Sequence, residues 1–124
     1  MNGRPDGSKG EPARLWRAFL NSRDGLSFAC RSEAAVRLEV WLLVLSIPAA
    51  LLVAPDWGRR LVLVATVLFL LAIELLNTAI EKLCDHVTPE RHDQIKAVKD
   101  VGSAAVLMAA LAAAGVWAAV IAGL

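Results

Sequence analysis

Four polar residues stand at helical spacing along and just beyond an apolar stretch of the 124-residue chain: Glu74, Asn77, Glu81 and Asp85. Spacings of three, four and four put all four on one face of an α-helix. A carboxylate inside the hydrocarbon layer is costly and is usually kept for a function. Glu74 is expected roughly 10 Å, about two turns, deeper than Glu81, which should lie at the water boundary. That depth suits a base acting on the hydroxyl group of a lipid.

Further charged residues are expected at the same boundary. Glu33 and Glu39 open the first apolar stretch, and Lys99 and Asp100 open the third. Carboxylate oxygens suit Mg²⁺, which usually shares them with phosphate oxygens, and a lysine offsets phosphate charge. The sequence therefore predicts a site for a divalent cation and a polyphosphate.

Glu90 and His92, between the second and third stretches, are placed to contact a nucleotide from the aqueous side. A structural interpretation stays open beside this one. Any single carboxylate or lysine at the boundary could simply extend its charged group to the water interface, and a lone histidine could simply be a solvated surface residue. Glu74 with Asn77 favours a function, because two polar groups lie within one span.

The elements that must position these residues are predicted to be membrane helices. The chain is 57% hydrophobic, and segments 40–54, 61–73 and 101–124 contain no charged residue and no histidine. A helix needs about 20 mostly apolar residues to cross the hydrocarbon, and unbroken Leu, Val and Ala runs favour helices over barrel strands. We predict spans at about 34–54, 61–80 and 101–123. A net charge of +1 does not indicate the basic surface of a nucleic-acid-binding protein, so a nucleic-acid partner is not expected.

The N-terminal part is predicted to hold a tail and a surface helix. Residues 1–12 are mostly Gly, Pro and charged, which indicates a disordered tail rather than a signal peptide. Residues 13–124 then form one membrane domain. Within it, segment 13–31 places Leu15, Trp16 and Phe19 on one face, which favours an amphipathic helix lying on the leaflet, with a simple anchor as the alternative.

The distribution of basic residues predicts the orientation. Eleven of the 13 Lys and Arg residues lie before or in the opening turn of the first span, or between the second and third spans. The positive-inside rule therefore places the N-terminus and the second loop in the cytoplasm and the C-terminus on the periplasmic side.

Several motifs together resemble the bacterial integral-membrane diacylglycerol kinase family. The motifs are Glu74-Leu-Leu-Asn77-Thr-Ala-Ile-Glu81 followed by Asp85, then Lys99-Asp100-Val-Gly-Ser103-Ala-Ala-Val106, and Ser32-Glu33-Ala-Ala-Val-Arg37-Leu-Glu39 at the start of the first span. Glu90-Arg-His92 and Trp117 also fall where the family carries similar residues. The resemblance covers about residues 14–118.

The resemblance implies an all-α homotrimer of three-span subunits, each with a surface helix. It implies transfer of the γ-phosphoryl group of Mg-ATP to diacylglycerol, giving phosphatidic acid at the cytoplasmic face of the bacterial inner membrane. Undecaprenol kinase of the same superfamily is the alternative, and segment 33–39 favours the diacylglycerol version. A small proton-coupled transporter is a more distant alternative, since its site should lie near the midplane.

The resemblance also implies roles for residues at matching positions. Glu74 is implied as the general base, Asn77 as a site organiser, and Glu33 and Glu81 as metal ligands. The residues implied in ATP binding are Arg14, Glu33, Glu81, Glu90, His92, Lys99 and Asp100, of which Lys99 is also implied in catalysis. The residues implied along the lipid path are Arg14, Ser22, Ala35, Arg37, Glu39, Glu74, Ser103 and Trp117.

Overall fold

A computed structural model describes residues 10–90 and 92–124, which form four α-helices and, within those ranges, no strand. The helices are α1 (Glu11–Ser32), α2 (Ala34–Val53), α3 (Trp57–Val87) and α4 (Asp93–Ile121). The last three are each long and apolar enough to cross a membrane. The predicted all-α class with three spans is therefore confirmed.

Helix α3 extends beyond both ends of its predicted span, and α4 begins eight residues before its predicted span but ends at Ile121. Helix α3 begins where the Asp56 carboxylate accepts a hydrogen bond from the Arg59 backbone N–H at 2.9 Å, and it ends one residue before Thr88-Pro89. A proline disfavours helical geometry in the residue before it. Hydropathy marks only the part of a helix that lies in hydrocarbon, so the turns of α3 after residue 80 were not part of the predicted span. Those turns carry Glu81 and Asp85.

Helix α1 begins at Glu11, so the last two residues of the predicted tail 1–12 are helical. Pro12 suits the first turn of a helix, where its missing N–H is not needed. Residues 1–9 of that predicted tail lie outside the described residues. Trp16 and Phe19 are exposed, with ring centroids 5.7 Å apart. An interfacial helix needs an exposed aromatic face of this kind. That α1 lies on the surface of a leaflet stays a prediction.

Helix α3 is the centre of the bundle and packs against both α2 and α4. One buried cluster, Ala29, Val36 and Leu71, lies where the end of α1 and the start of α2 meet α3. We call this end, with the first turns of α4, the polar end. A second cluster, around Ala50 and Leu63, lies at the opposite end. Helix α4 buries few residues of its apolar span, and several of the others are half-buried.

Candidate active site

The polar stripe of α3 runs from the interior of the bundle to solvent. Glu74 and Asn77 are 8% and 7% exposed, Glu81 is half-buried, and Asp85 is exposed. Helical spacing keeps the stripe on one face, so exposure rises along it from the middle of α3 to its end. Glu74 is thus held in the interior and Asp85 at the aqueous edge of the polar end.

Asn77 organises the middle of the stripe. Its Nδ2 donates a hydrogen bond to Glu81 Oε1 at 3.3 Å, whereas its Oδ1 is buried and has no hydrogen-bond partner among the described residues. Gly102 of α4 lies against that oxygen, and a Cβ added at Gly102 would overlap it. The close approach of α4 to α3 here therefore requires glycine.

Three carboxylates surround Glu74. Glu33, Glu39 and Glu81 all lie close enough for their charges to interact with that of Glu74. Glu39 is only 8% exposed, and its Oε2 has no hydrogen-bond partner among the described residues. Like charges gathered in a weakly solvated region repel one another strongly. A cation brought among these carboxylates would reduce that repulsion.

The α1–α2 junction places Glu33 at the edge of this cluster. Glu33 has extended backbone, with φ −125° and ψ 120°, and it both ends α1 and precedes α2. Its Oε1 lies 2.9 Å from Nζ of Lys82 on α3. The Arg37 guanidinium stiffens the junction by donating to the backbone carbonyls of Cys30 at 2.9 Å and Arg31 at 3.2 Å.

Lys99 joins α4 to the outer end of the stripe. Its Nζ lies 2.6 Å from Asp85 Oδ1, an ion pair between residues 14 positions apart. The next residue, Asp100, pairs instead with Nζ of Lys96 at 2.6 Å, one turn earlier on its own helix. Lys99 therefore faces α3, and Asp100 faces along α4.

An open cavity of about 680 Å³ lies between the end of α3 and the start of α4. Its lining includes the predicted nucleotide residues Glu90, His92, Lys99 and Asp100, together with Lys96. Acidic, basic and imidazole groups thus share one aqueous cavity at the polar end. The structure brings four of the seven predicted ATP contacts into that cavity.

A second, largely apolar groove of about 640 Å³ lies between α1 and α3. Ser22 lines it, although its hydroxyl donates to the Ala18 carbonyl at 2.9 Å. Ala35, in the first turn of α2, and Ser103, beside Gly102, are both exposed. Their implied roles along the lipid path stay predictions.

Two predicted site residues are not brought to the polar end within one chain. Arg14 is exposed near the start of α1 and lines a separate shallow cavity on that helix. Trp117 packs in the cluster at the opposite end, where its Nε1 donates to the Leu63 carbonyl at 3.2 Å. Neither side chain contacts Glu74 or Lys99 in this arrangement, and their implied roles also stay predictions.

The described residues of one chain do not by themselves form a metal site. Nowhere in ranges 10–90 and 92–124 do three or more His, Cys, Asp or Glu residues form a group that could hold a metal ion. Glu33 and Glu81 are the carboxylates nearest the aqueous edge of the cluster. A metal ion at these two carboxylates would need further ligands from a substrate, from water or from another subunit.

Sequence reasoning did not select Gly102 or Lys82 as site residues. Gly102 stands among the small residues after Lys99, and a glycine one turn after a candidate lysine is the signal that could have identified it. Lys82 directly follows Glu81, and its position along the chain indicates only an ordinary basic residue of the second loop. Its partner Glu33 is 49 positions away, which no local pattern indicates.

Comparison with known proteins identifies relatives over most of the chain. The family model described as prokaryotic diacylglycerol kinase matches residues 20–121. A diacylglycerol kinase of Pseudomonas aeruginosa is 41% identical over 110 residues, covering 89% of each chain. Those of Escherichia coli K12 and Haemophilus influenzae are 36% and 34% identical, covering 84% and 77% of this chain and 85% and 81% of theirs.

Proposed function

The chain belongs to the prokaryotic diacylglycerol kinase family, and we propose that it transfers the γ-phosphoryl group of ATP to diacylglycerol, forming phosphatidic acid. The observation that carries this proposal is the placement of Glu74. It is a buried carboxylate on a membrane-capable helix, one turn from Asn77 and at the end of the bundle that also holds Lys99 and the polar cavity.

Glu74 acts as the general base. It takes the proton of the lipid hydroxyl while that oxygen bonds to the γ-phosphorus and the bond from the γ-phosphorus to the β–γ bridging oxygen breaks. Asn77 Nδ2 donates a hydrogen bond to Glu81 Oε1 and so positions that carboxylate on the same helix face as the base. Phosphoryl transfer needs mainly alignment and charge neutralisation, and both residues supply alignment.

Glu33 and Glu81 hold Mg²⁺ in this proposal. The donor set fits, because both residues offer carboxylate oxygens and because a divalent cation offsets the repulsion of the carboxylates around Glu74. Mg²⁺ typically uses one or two carboxylates and completes its coordination with phosphate oxygens and water. When bound, it would neutralise charge on the β- and γ-phosphates.

Lys99 and the cavity between α3 and α4 hold the phosphate end of the nucleotide. Asp85 keeps the Lys99 ammonium at the junction of the two helices, from which it can reach phosphate oxygens. Glu90, His92 and Asp100 contact the rest of the nucleotide from the aqueous side. Lys96 in the same cavity adds a second positive charge.

A homotrimer with shared sites completes the proposal. Helix α4 buries few residues of its apolar span against α3, and its small residues allow a further helix to approach closely. A neighbouring subunit would also offer its site to Arg14, which its own chain keeps away from Glu74. The chain is a bacterial membrane protein, and we propose the inner membrane, with the polar end in the cytoplasm, because that end holds most of the basic residues.

The test uses the purified full chain in mixed micelles with Mg²⁺ and γ-labelled ATP, offering diacylglycerol and undecaprenol separately. Label in phosphatidic acid is the expected result. Label only in the polyprenol would keep the mechanism and overturn the substrate. A folded protein that labels neither lipid would overturn the proposed activity and reopen the transporter alternative.

A further inference from the structure

Lys82 holds an ion pair at the edge of the carboxylate cluster. Its Nζ lies 2.9 Å from Glu33 Oε1, and the two side chains are 46% and 28% exposed. The same ammonium lies 6.0 Å from the centroid of the Phe28 ring on α1. Lys82 is the residue after Glu81, so its ammonium lies between the α1–α2 junction and the outer part of the polar stripe.

In this position the Lys82 ammonium would compete with a metal ion for the Glu33 carboxylate. A cation that binds the Glu33 carboxylate must displace the ammonium from Oε1 or accept a positive charge close beside it, and both alternatives reduce affinity. The side chain of Lys82 can move away, because its flexible stem is nearly half exposed. Phosphate oxygens would give the displaced ammonium a new partner.

We propose that Lys82 is an exchangeable counter-ion of Glu33. Without nucleotide it competes with a divalent cation for the Glu33 carboxylate, and with nucleotide its ammonium moves to the phosphate oxygens and leaves Glu33 to the metal. Metal binding and nucleotide binding then strengthen each other, as linkage requires. The inference rests on the proposed role of Glu33 as a metal ligand.

A purely structural role for Lys82 predicts the opposite sign. If the ion pair serves only to tie the α1–α2 junction to α3, removing the ammonium leaves Glu33 less well placed and weakens metal binding. If Lys82 competes with the metal, removing the ammonium strengthens metal binding. The direction of the change therefore separates the two roles.

The purified full chain in micelles is titrated with Mn²⁺ in the absence of nucleotide. The concentration of free Mn²⁺ is measured by electron paramagnetic resonance. We expect Lys82→Met, which keeps the apolar stem, to bind Mn²⁺ about fivefold more tightly, corresponding to ~1 kcal/mol. Lys82→Gln should behave similarly, which covers the case in which one variant does not fold. Lys82→Arg should stay near the wild type.

The matched control is Arg23→Met, which removes a cation paired with Asp24 on the exposed surface of α1 and should leave Mn²⁺ affinity unchanged. In a second titration at saturating Mn²⁺, a non-hydrolysable ATP analogue should bind more weakly to Lys82→Met than to Lys82→Arg. Unchanged or weaker Mn²⁺ binding by both neutral variants would overturn the inference.

Glu33→Gln distinguishes failure of this inference from failure of the metal assignment. If Glu33→Gln loses Mn²⁺ affinity while the neutral Lys82 variants gain none, only the role of Lys82 is wrong. If Glu33→Gln binds Mn²⁺ as the wild type does, Glu33 is not a metal ligand and the inference falls with that assignment.

Discussion

The side-chain amide of Asn77 on α3 lies against the bare backbone of Gly102 on α4, with no room for a Cβ between them. This contact sets the distance between the helix that carries Glu74 and the helix that carries Lys99. Lys99 precedes Gly102 by about one helical turn and reaches Asp85 across the same interface. The positions of the proposed base and the proposed phosphate-binding lysine thus depend on one small residue.

Gly102→Ala should impair activity and stability together. The added Cβ meets Asn77 Oδ1, so either the amide or α4 must move, and overpacking of this kind typically costs about 1–3 kcal/mol. Turnover should fall by roughly tenfold or more, because a small misplacement of reacting groups has a large effect. Lipid phosphorylation and thermal unfolding in micelles measure the two effects.

Gly25→Ala on α1 is the control, because an added Cβ there meets nothing within 4 Å and the residue lies outside the α3–α4 contact. It should retain nearly normal activity and stability. Equal losses in the two variants would contradict a special role for the Asn77–Gly102 contact.

Glu74→Gln should abolish turnover and leave nucleotide binding intact. The amide keeps the size of the side chain but cannot take the proton of the lipid hydroxyl, and loss of a general base typically costs about 10²–10⁴-fold in rate. Turnover is followed by label transfer, and nucleotide binding by titration with a non-hydrolysable ATP analogue. Asp24→Asn, an exposed carboxylate on α1, is the control. Substantial activity in Glu74→Gln would rule out its role as the base.

Lys99 and Asp85 should behave as one unit. Lys99→Met should lower kcat by about 10²–10³-fold, since it removes charge stabilisation from the transferring group. Asp85→Asn should lower kcat less, because the Lys99 ammonium is still present and has only lost its partner. The double variant should be no worse than Lys99→Met alone, which a double-mutant cycle on kcat detects. Fully additive losses would show that Asp85 acts independently of Lys99.

The start of α3 should be sensitive to acid. The backbone N–H and the side chain of Arg59 lower the pKa of Asp56 from its usual range. Because this pKa is lower in the folded chain, the stabilisation is present above the unfolded-state pKa and is lost as the pH falls through the folded-state value. Asp56→Ala should therefore unfold at a lower temperature than the wild type at neutral pH, and the difference should shrink in acid.

Thermal unfolding of both proteins from neutral pH downwards checks this expectation. Asp56→Asn separates the two contributions, since asparagine keeps the capping acceptor and loses the charge. A gap between the wild type and Asp56→Ala that stays constant over the whole pH range would contradict the assignment.

The sequence alone determined the features that depend on neighbours along the chain. Hydropathy marks the three spans, because a membrane helix is selected by its own apolar length. Spacing puts Glu74, Asn77 and Glu81 on one face, because helical periodicity is a local property. The motifs around Glu74 and Lys99 were also sufficient to indicate the family that the comparisons then showed.

The tertiary structure decided which helix faces meet and which charges pair. Two ion pairs join different parts of the fold, Lys82 with Glu33 and Lys99 with Asp85. Asp100 instead pairs with Lys96 on its own helix. No local pattern predicts these choices, because several acids and bases lie at similar depth and any of them could pair. The packing of α4 on α3 selects the pairs, and that packing depends on side-chain volume at the contact, above all on the missing Cβ of Gly102.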